Sequence, residues 1–183
     1  FAALGRRRVG LIDFGAGARF DELLRAGLAA RGMVSHRRWH QFVSLRNPEG
    51  ARHAVELLMR DPERPDALLV QDDNFVEQAL GGLIDAGGKV PDEVAVVGYA
   101  NFPVAPSKIL PVRLLGLDIN LLFQACVDLI DRQCRGESVP AQNTLPMVWE
   151  EEAGGAWKAG GERQVADPPA AARKGKRKEE KPL

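Results

Sequence analysis

The sequence has few cysteines and few aromatic residues, and it has no excess of charge of either sign. Two cysteines among 183 residues are too few for a disulfide framework or for the four ligands of a structural zinc site. Lys plus Arg and Asp plus Glu both number 25, so the net charge is zero. This balance argues against a protein that coats nucleic acid through a uniformly basic surface.

Long hydrophobic runs are also missing. No stretch approaches the roughly eighteen apolar residues that a membrane span requires, and no charged segment followed by an apolar core indicates a signal peptide. The first residue is Phe1 rather than Met, which we interpret as the mark of a processed chain or of a fragment.

The composition divides the chain into a body and a tail. We predict one domain over residues 1–150 and a disordered tail over residues 151–183, where Gly, Ala and Pro recur without apolar periodicity. The basic cluster at 173–178 is interpreted as a solvated terminus, and the alternative is a weak contact with nucleic acid or a membrane.

Short apolar runs alternate with helical stretches along the body. The runs are continuously hydrophobic, which is typical of strands buried in a parallel sheet. We predict an α/β fold with a parallel sheet and helices on both of its faces. The predicted strands are 8–13, 39–44, 66–71, 94–98, 114–117 and 144–149, and the predicted helices are 18–31, 48–60, 75–87 and 120–135.

Polar and aromatic residues follow four of these strands. In parallel α/β sheets, ligands bind beyond the carboxyl ends of the strands. That rule selects Asp13–Phe14, Phe42, Asp72–Asp73 and Tyr99–Asn101, and Arg19 lies nearby at the start of the first helix. Aromatic faces stack on sugar rings, while carboxylates, amides and guanidinium groups bind hydroxyls. The set predicts a site for a small polar molecule.

The pair Asp72–Asp73 is open to three interpretations. Adjacent carboxylates suit acid/base catalysis or Mg²⁺ binding. They also suit contact with a bound ligand. The third interpretation is structural, with Asp73 or Asn74 capping the helix that follows.

The other motifs do not indicate an enzyme or a cofactor site. Residues 15–20 read GxGxxF rather than GxGxxG, and no serine lies in a GxSxG elbow. His36 and His40 are separated by arginines and have no nearby third ligand, which favours an exposed basic turn over a metal site. We predict no metal, no cofactor and no catalytic activity.

Several segments, in the same order along the chain, resemble the LacI/GalR family of transcriptional regulators. Residues 4–12 resemble the "LGHRR" motif and apolar strand that open the C-terminal subdomain of that family, and residues 64–73 resemble "RPTAIFAAND". Residues 81–99 resemble "AGLRVPEDVSVVGY", and residues 118–140 resemble the closing helix and the "GExxP" turn. The resemblance covers roughly residues 1–150.

This resemblance implies a type I periplasmic-binding-protein-like fold, in which two α/β subdomains joined by three crossovers hold an effector between them. The chain then comprises the C-terminal subdomain and the last crossover segments, with an incomplete N-terminal subdomain and no DNA-binding headpiece. Helix 120–135 would belong to the missing subdomain, so we expect its apolar face, including Phe123, Cys126 and Ile130, to be exposed and prone to association. A homodimer through helices 48–60 and 75–87 is also implied.

The resemblance carries over to individual site residues. Asp73 matches the aspartate that contacts effector at the end of the "AND" strand. Arg19 lies one position from the effector-binding arginine, and Phe20 occupies that position. Phe42 is the candidate stacking aromatic, and Asp118, where "VRQP" is common, is a crossover or rim candidate. The predicted ligand-binding set is Asp73, Arg19, Phe20, Phe42, Phe14, Asn101 and Asp118.

We therefore expect the effector-sensing domain of a cytoplasmic LacI-type transcriptional regulator. A small polar effector, with a sugar favoured, would shift a homodimer between operator-bound and released states, and no membrane is involved. The alternative is a periplasmic sugar-binding protein or receptor ectodomain of the same fold. A third hypothesis is an α/β enzyme that uses Asp72–Asp73 with Mg²⁺.

Overall fold

The computed structural model describes residues 1–15 and 17–153, in which strands and helices alternate as the sequence predicts. No helix in this described part of the chain is both long and apolar enough to cross a membrane. The elements are β1 (Val9–Asp13), α1 (Ala18–Ala29), β2 (His40–Phe42), α2 (Gly50–Arg60), β3 (Ala67–Val70), α3 (Asp73–Asp85), β4 (Ala95–Phe102), β5 (Arg113–Asp118), α4 (Ile119–Cys134) and β6 (Val148–Trp149).

The strands form one six-stranded sheet in the order β2-β1-β3-β4-β5-β6. The first five are parallel, which confirms the predicted fold class. The last strand departs from the prediction, because β6 runs antiparallel to β5 and pairs Trp149 with Leu115 and Val148 with Gly116. Only two of the six residues predicted for this strand are in it.

Helices cover both faces of the sheet. On one face, α2 and α3 pack against Ile12, Leu68 and Val96 in the larger hydrophobic core. On the other face, Leu28 of α1 joins Val9 in a smaller cluster. Most of the buried apolar area therefore lies on the α2/α3 face, and α1 covers only part of the opposite face.

Helices α2 and α3 approach each other at a glycine. A Cβ atom built on Gly82 would lie 2.4 Å from the backbone oxygen of Arg52, a distance that real Cβ atoms essentially never show. The Arg52 guanidinium also donates to the carboxylate of Asp85 through both Nε and Nη2. This ion pair holds the pKa of Asp85 below its ordinary value, chiefly through the hydrogen bond.

The start of α2 differs from the helix start predicted at residue 48. The residue before the helix is Glu49, whose side chain makes no capping bond. Asn47 and Pro48 instead form the preceding turn, in which the N–H groups of Gly50 and Ala51 donate to their backbone oxygens. The helix therefore starts two residues later than its sequence signals indicate.

Helix α4 follows β5 directly and packs only lightly on the rest of the chain. Its buried residues are Leu121 and Ala125, whereas Phe123, Val127 and Ile130 are more than half exposed and Cys126 is also exposed. The expected exposed apolar face is thus present.

The folded region extends slightly past the predicted domain boundary at residue 150. Residues Glu150–Glu152 form a 3₁₀ turn, and Glu151 pairs with Arg113 of β5. Ala153 packs against the larger core. The rest of the predicted tail, residues 154–183 with the basic cluster, lies outside the described residues.

Candidate functional site

A cavity of about 610 Å³ lies between α1 and the β3–β5 part of the sheet and opens at the C-terminal ends of the strands. We call it the α1 cavity. Its wall contains three of the predicted site residues, Phe14, Phe20 and Asn101. The remaining lining residues are Leu24, Leu69, Val70, Gln71, Asp72, Val97, Gly98, Tyr99, Leu115 and Met147.

Hydrogen bonds join the end of β4 to the start of α3 at the rim of this cavity. Tyr99 and Asn101 are two apart in β4, so their side chains lie on the same face of the sheet. The Tyr99 hydroxyl donates to Asn101 Oδ1 over 3.0 Å, and Asn101 Nδ2 donates to Asp73 Oδ2 over 2.8 Å. Asp73 is therefore one hydrogen bond away from the cavity wall, behind Asn101.

The ionisation of Tyr99 reflects the same arrangement. Burial raises the pKa of the Tyr99 hydroxyl above its ordinary value, and the negative charges of Asp73 and Asp72 raise it further. The hydroxyl therefore stays protonated at neutral pH and remains a hydrogen-bond donor.

Asp72 caps α3, whereas the structural interpretation, one of the three left open by the sequence, gave this role to Asp73 or Asn74. Its Oδ1 atom accepts from the Asn74 backbone N–H over 3.0 Å and from Asn74 Nδ2 over 2.8 Å. An N-cap carboxylate satisfies an amide that the helix leaves unpaired. The negative charge of Asp73 lies in the first turn of the helix, where the helix dipole favours it.

The aromatic candidates divide between two places. Phe14 follows Asp13, whose buried carboxylate accepts from the Gly15 N–H over 2.9 Å and so shapes the turn after β1. Phe14 and half-buried Phe20 both line the cavity. Phe42 ends β2, the edge strand beyond β1, and is 67% exposed outside the cavity.

The two remaining candidates also lie outside the cavity. Arg19 is exposed in the first turn of α1. Asp118 is only 5% exposed and caps α4, where its Oδ1 atom accepts from the N–H groups of Asn120 and Leu121 over 3.1 and 3.2 Å. The structure thus gives Asp118 a structural role and brings neither residue to the cavity wall.

His40 differs from the exposed basic turn that its arginine neighbours suggest. The ring is buried in β2, and Nε2 lies 2.8 Å from the Ser35 hydroxyl. Burial lowers the pKa of His40, against the opposing effect of Asp21. Among the described residues, no group of three or more His, Cys, Asp or Glu side chains is arranged to hold a metal ion.

The strand-end rule selected neither the apolar wall of the cavity nor Gln71 within it. Leu69 of β3, Val97 of β4 and Leu115 of β5 line the cavity together with Gln71. The available signal was that these residues alternate along their strands with those that face α2 and α3. Gln71 directly precedes the Asp72–Asp73 pair in the sequence.

The chain is similar to a known domain family and to two curated repressors. Residues 1–151 match the model of a family described as periplasmic binding protein-like domain. The chain is 29% identical over 106 residues to the lactose operon repressor of Rhizobium radiobacter, covering 57% of the chain and 93% of that sequence. It is 24% identical over 136 residues to the HTH-type transcriptional repressor PurR of Glaesserella parasuis, covering 74% of the chain and 39% of that repressor.

A solved structure gives the same fold. The LacI family transcriptional regulator from Lactobacillus casei with bound sucrose superposes with a TM-score of 0.62 at 23% sequence identity, covering 80% of this chain and 56% of that one. At this identity the likeness concerns the fold. The chain spans less than two thirds of the length of PurR and of the solved regulator.

Proposed function

The chain belongs to the family of periplasmic binding protein-like domains, and from that premise we propose that it is the effector-sensing part of a LacI-type transcriptional regulator. The resemblance to lactose-repressor-type proteins expected from the sequence is confirmed, since the similar curated proteins are repressors. Those relatives are regulators rather than enzymes, and the proposal assigns no reaction to this chain.

One observation carries the proposal. The cavity at the strand ends is bordered by the chain of hydrogen bonds from Tyr99 through Asn101 to Asp73. These residues come from β4 and α3, so a molecule bound against Asn101 contacts a group whose position depends on both elements. Binding at the carboxyl ends of parallel strands is the general rule for such sheets.

We propose that the effector carries a sugar. Phe14 and Phe20 offer apolar faces on which a sugar ring stacks, and the Asn101 amide beside the Asp73 carboxylate offers partners for hydroxyl groups. The bound sucrose in the structurally similar regulator supports this class of ligand. Asp73 acts on the sugar through Asn101, whose amide it orients.

Regulation would require the second subdomain, whose angle relative to this one would change when the effector binds. The exposed apolar face of α4 (Phe123, Cys126, Val127 and Ile130) is the surface on which that subdomain would pack. An effector with higher affinity for one relative angle of the subdomains would stabilise that angle. A homodimer formed through α2 and α3 would transmit the change to operator DNA, bound by a headpiece outside this chain, and the protein would act in the cytoplasm.

The assignment of Asp73 is tested in the full-length regulator. Calorimetry with sucrose and its component monosaccharides should detect binding, and Asp73→Ala should lower the affinity about tenfold or more, because it removes the acceptor that holds Asn101. Asp92→Ala, at an exposed aspartate outside the cavity, should leave the affinity unchanged. Equal affinities of wild type and Asp73→Ala would refute the role of Asp73. If none of these sugars binds, the proposal that the effector carries a sugar is wrong.

The dimer is tested separately. Sedimentation of the intact sensor domain should show a dimer. A purely monomeric species at micromolar concentration would contradict dimerisation through α2 and α3.

A further inference from the structure

We propose that Gln71 contacts the effector, and that its side-chain oxygen accepts a hydrogen bond from a hydroxyl or N–H group carried on an otherwise apolar inner part of that effector. This inference rests on the proposed function, because it places the effector in the α1 cavity. It adds the chemistry of the buried end of the ligand.

The first observation is an unsatisfied acceptor in the cavity wall. Gln71 follows β3, and its backbone N–H donates to the Ile12 oxygen over 2.9 Å, so the sheet fixes its position. Its Oε1 atom is buried and has no hydrogen-bond partner. Within residues 1–15 and 17–153, the other buried side-chain polar atoms in this state belong to Arg6 and Trp39, neither of which lines the cavity.

An unpaired buried carbonyl oxygen is unfavourable, and native structures rarely retain one. A turn of the Gln71 side chain towards the cavity would bring this oxygen to a donor on a bound molecule, and a donor would be favoured over an acceptor at the same place. Gln71 is therefore suited to distinguish ligands that carry a donor from those that lack one.

The second observation is that the other polar side chains of the wall each have a hydrogen-bond partner. Tyr99 donates to Asn101, and Asn101 donates to Asp73. Asp72 accepts from both nitrogens of Asn74. Among the described residues that line the cavity, Gln71 Oε1 is therefore the one buried side-chain polar atom without any partner.

The third observation is the apolar surroundings of Gln71. Leu24, Leu69, Val97 and Leu115 line the same cavity, from α1 and three neighbouring strands. A second hydroxyl group on the inner part of the ligand would lose its bonds to water without replacement. The sugar would lie at the rim beside Asn101, and an aryl or alkyl group with one donor would fill the interior. A volume of about 610 Å³ accommodates both parts.

The test uses two probes of the same shape and the 183-residue chain. Indole has a ring N–H donor, and benzofuran has an oxygen at that position and no donor. Dissociation constants are measured by following backbone amide shifts in NMR titrations. The variants are Gln71→Met, which removes the acceptor at similar size, and Val97→Phe, which fills the cavity. Gln124→Met makes the first change at an exposed position of α4, outside the cavity.

Wild type should bind indole about fivefold or more tightly than benzofuran, the ratio expected from one hydrogen bond to a buried acceptor. Gln71→Met should bind both probes with similar affinity, because the donor no longer finds a partner. Gln124→Met should retain the wild-type ratio. Val97→Phe, with an unchanged circular dichroism spectrum, should bind both probes more weakly.

Equal affinities of wild type for the two probes would overturn the inference, as would a ratio that survives in Gln71→Met. Absence of binding by both probes would also overturn it. The outcome is separable from that of the proposed function. If Asp73→Ala loses sugar binding and Gln71→Met changes the affinity for neither probe, the proposed sensing function stands and only the role of Gln71 is refuted.

Discussion

The contact between α2 and α3 can be tested by mutation, because two adjacent glycines of α3, Gly81 and Gly82, differ in what surrounds them. We expect alanine to stabilise the protein at one position and to destabilise it at the other. At Gly82 an added methyl group would meet the backbone oxygen of Arg52 at 2.4 Å, so the helices must separate by more than half an ångström. At Gly81 the nearest atom is the end of the Arg52 side chain, at 3.5 Å, which is an ordinary contact. Replacement of each by alanine tests the same helix with and without the clash.

The magnitudes follow from two opposing effects. Alanine stabilises a helix interior relative to glycine by about 1 kcal/mol, and this gain applies to both positions. Overpacking of a tight backbone contact costs about 3 kcal/mol, and this cost applies to Gly82 alone. We therefore expect Gly81→Ala to raise the free energy of unfolding by about 1 kcal/mol and Gly82→Ala to lower it by about 2 kcal/mol.

Urea unfolding followed by circular dichroism measures both variants against wild type. The informative quantity is the difference between the two variants, about 3 kcal/mol, because the change in helix propensity cancels. Equal stability of Gly81→Ala and Gly82→Ala would refute the close approach of α2 and α3 and, with it, the packing of the larger core.

Two further predictions concern buried polar residues. Asp118→Ala should lower the free energy of unfolding by about 1–2 kcal/mol, because it removes the α4 cap. Asp118→Asn, which keeps an oxygen acceptor, should lower it by less. If urea unfolding shows no loss of stability for Asp118→Ala, the cap is dispensable. His40 has a lowered pKa, so the unfolded chain binds a proton more readily than the folded chain, and the free energy of unfolding should fall as the pH drops below about 6.5. His40→Gln should reduce this fall in urea midpoint between pH 7.5 and 5.5, and an identical fall in both proteins would contradict the assignment to His40.

The parallel part of the fold was predictable from the sequence because its signals are local. The continuous apolar runs of β1, β3 and β4 indicate strands buried on both faces, and Gly87 and Gly136 follow α3 and α4 with positive φ angles of 69° and 73°. Strand β6 was not predictable in direction. Two residues carry too little pattern, and the pairing of Trp149 with Leu115 depends on where the chain returns.

The candidate site was predictable in location but less so in its members. Chain order and the strand-end rule brought together Phe14, Phe20 and Asn101. The same rule selected Phe42 because β2 also ends at that edge, but the sheet order places β2 two strands from β3. The cavity is lined by residues of α1 and of three strands that are distant in sequence, and a motif of adjacent residues does not contain that information.

The two outer strands of the sheet are also its shortest, with three residues in β2 and two in β6. A sheet edge exposes unpaired backbone N–H and C=O groups, and a long edge can pair with another chain. Here β6 covers part of β5, and the neighbouring Arg113, Glu150 and Glu151 place charge beside it. The longer hydrophobic strands β3 and β4 are thereby kept in the interior of the sheet, which disfavours growth of the sheet from one molecule to the next. Within residues 1–15 and 17–153, the short outer strands favour association through helices over association through the sheet edges.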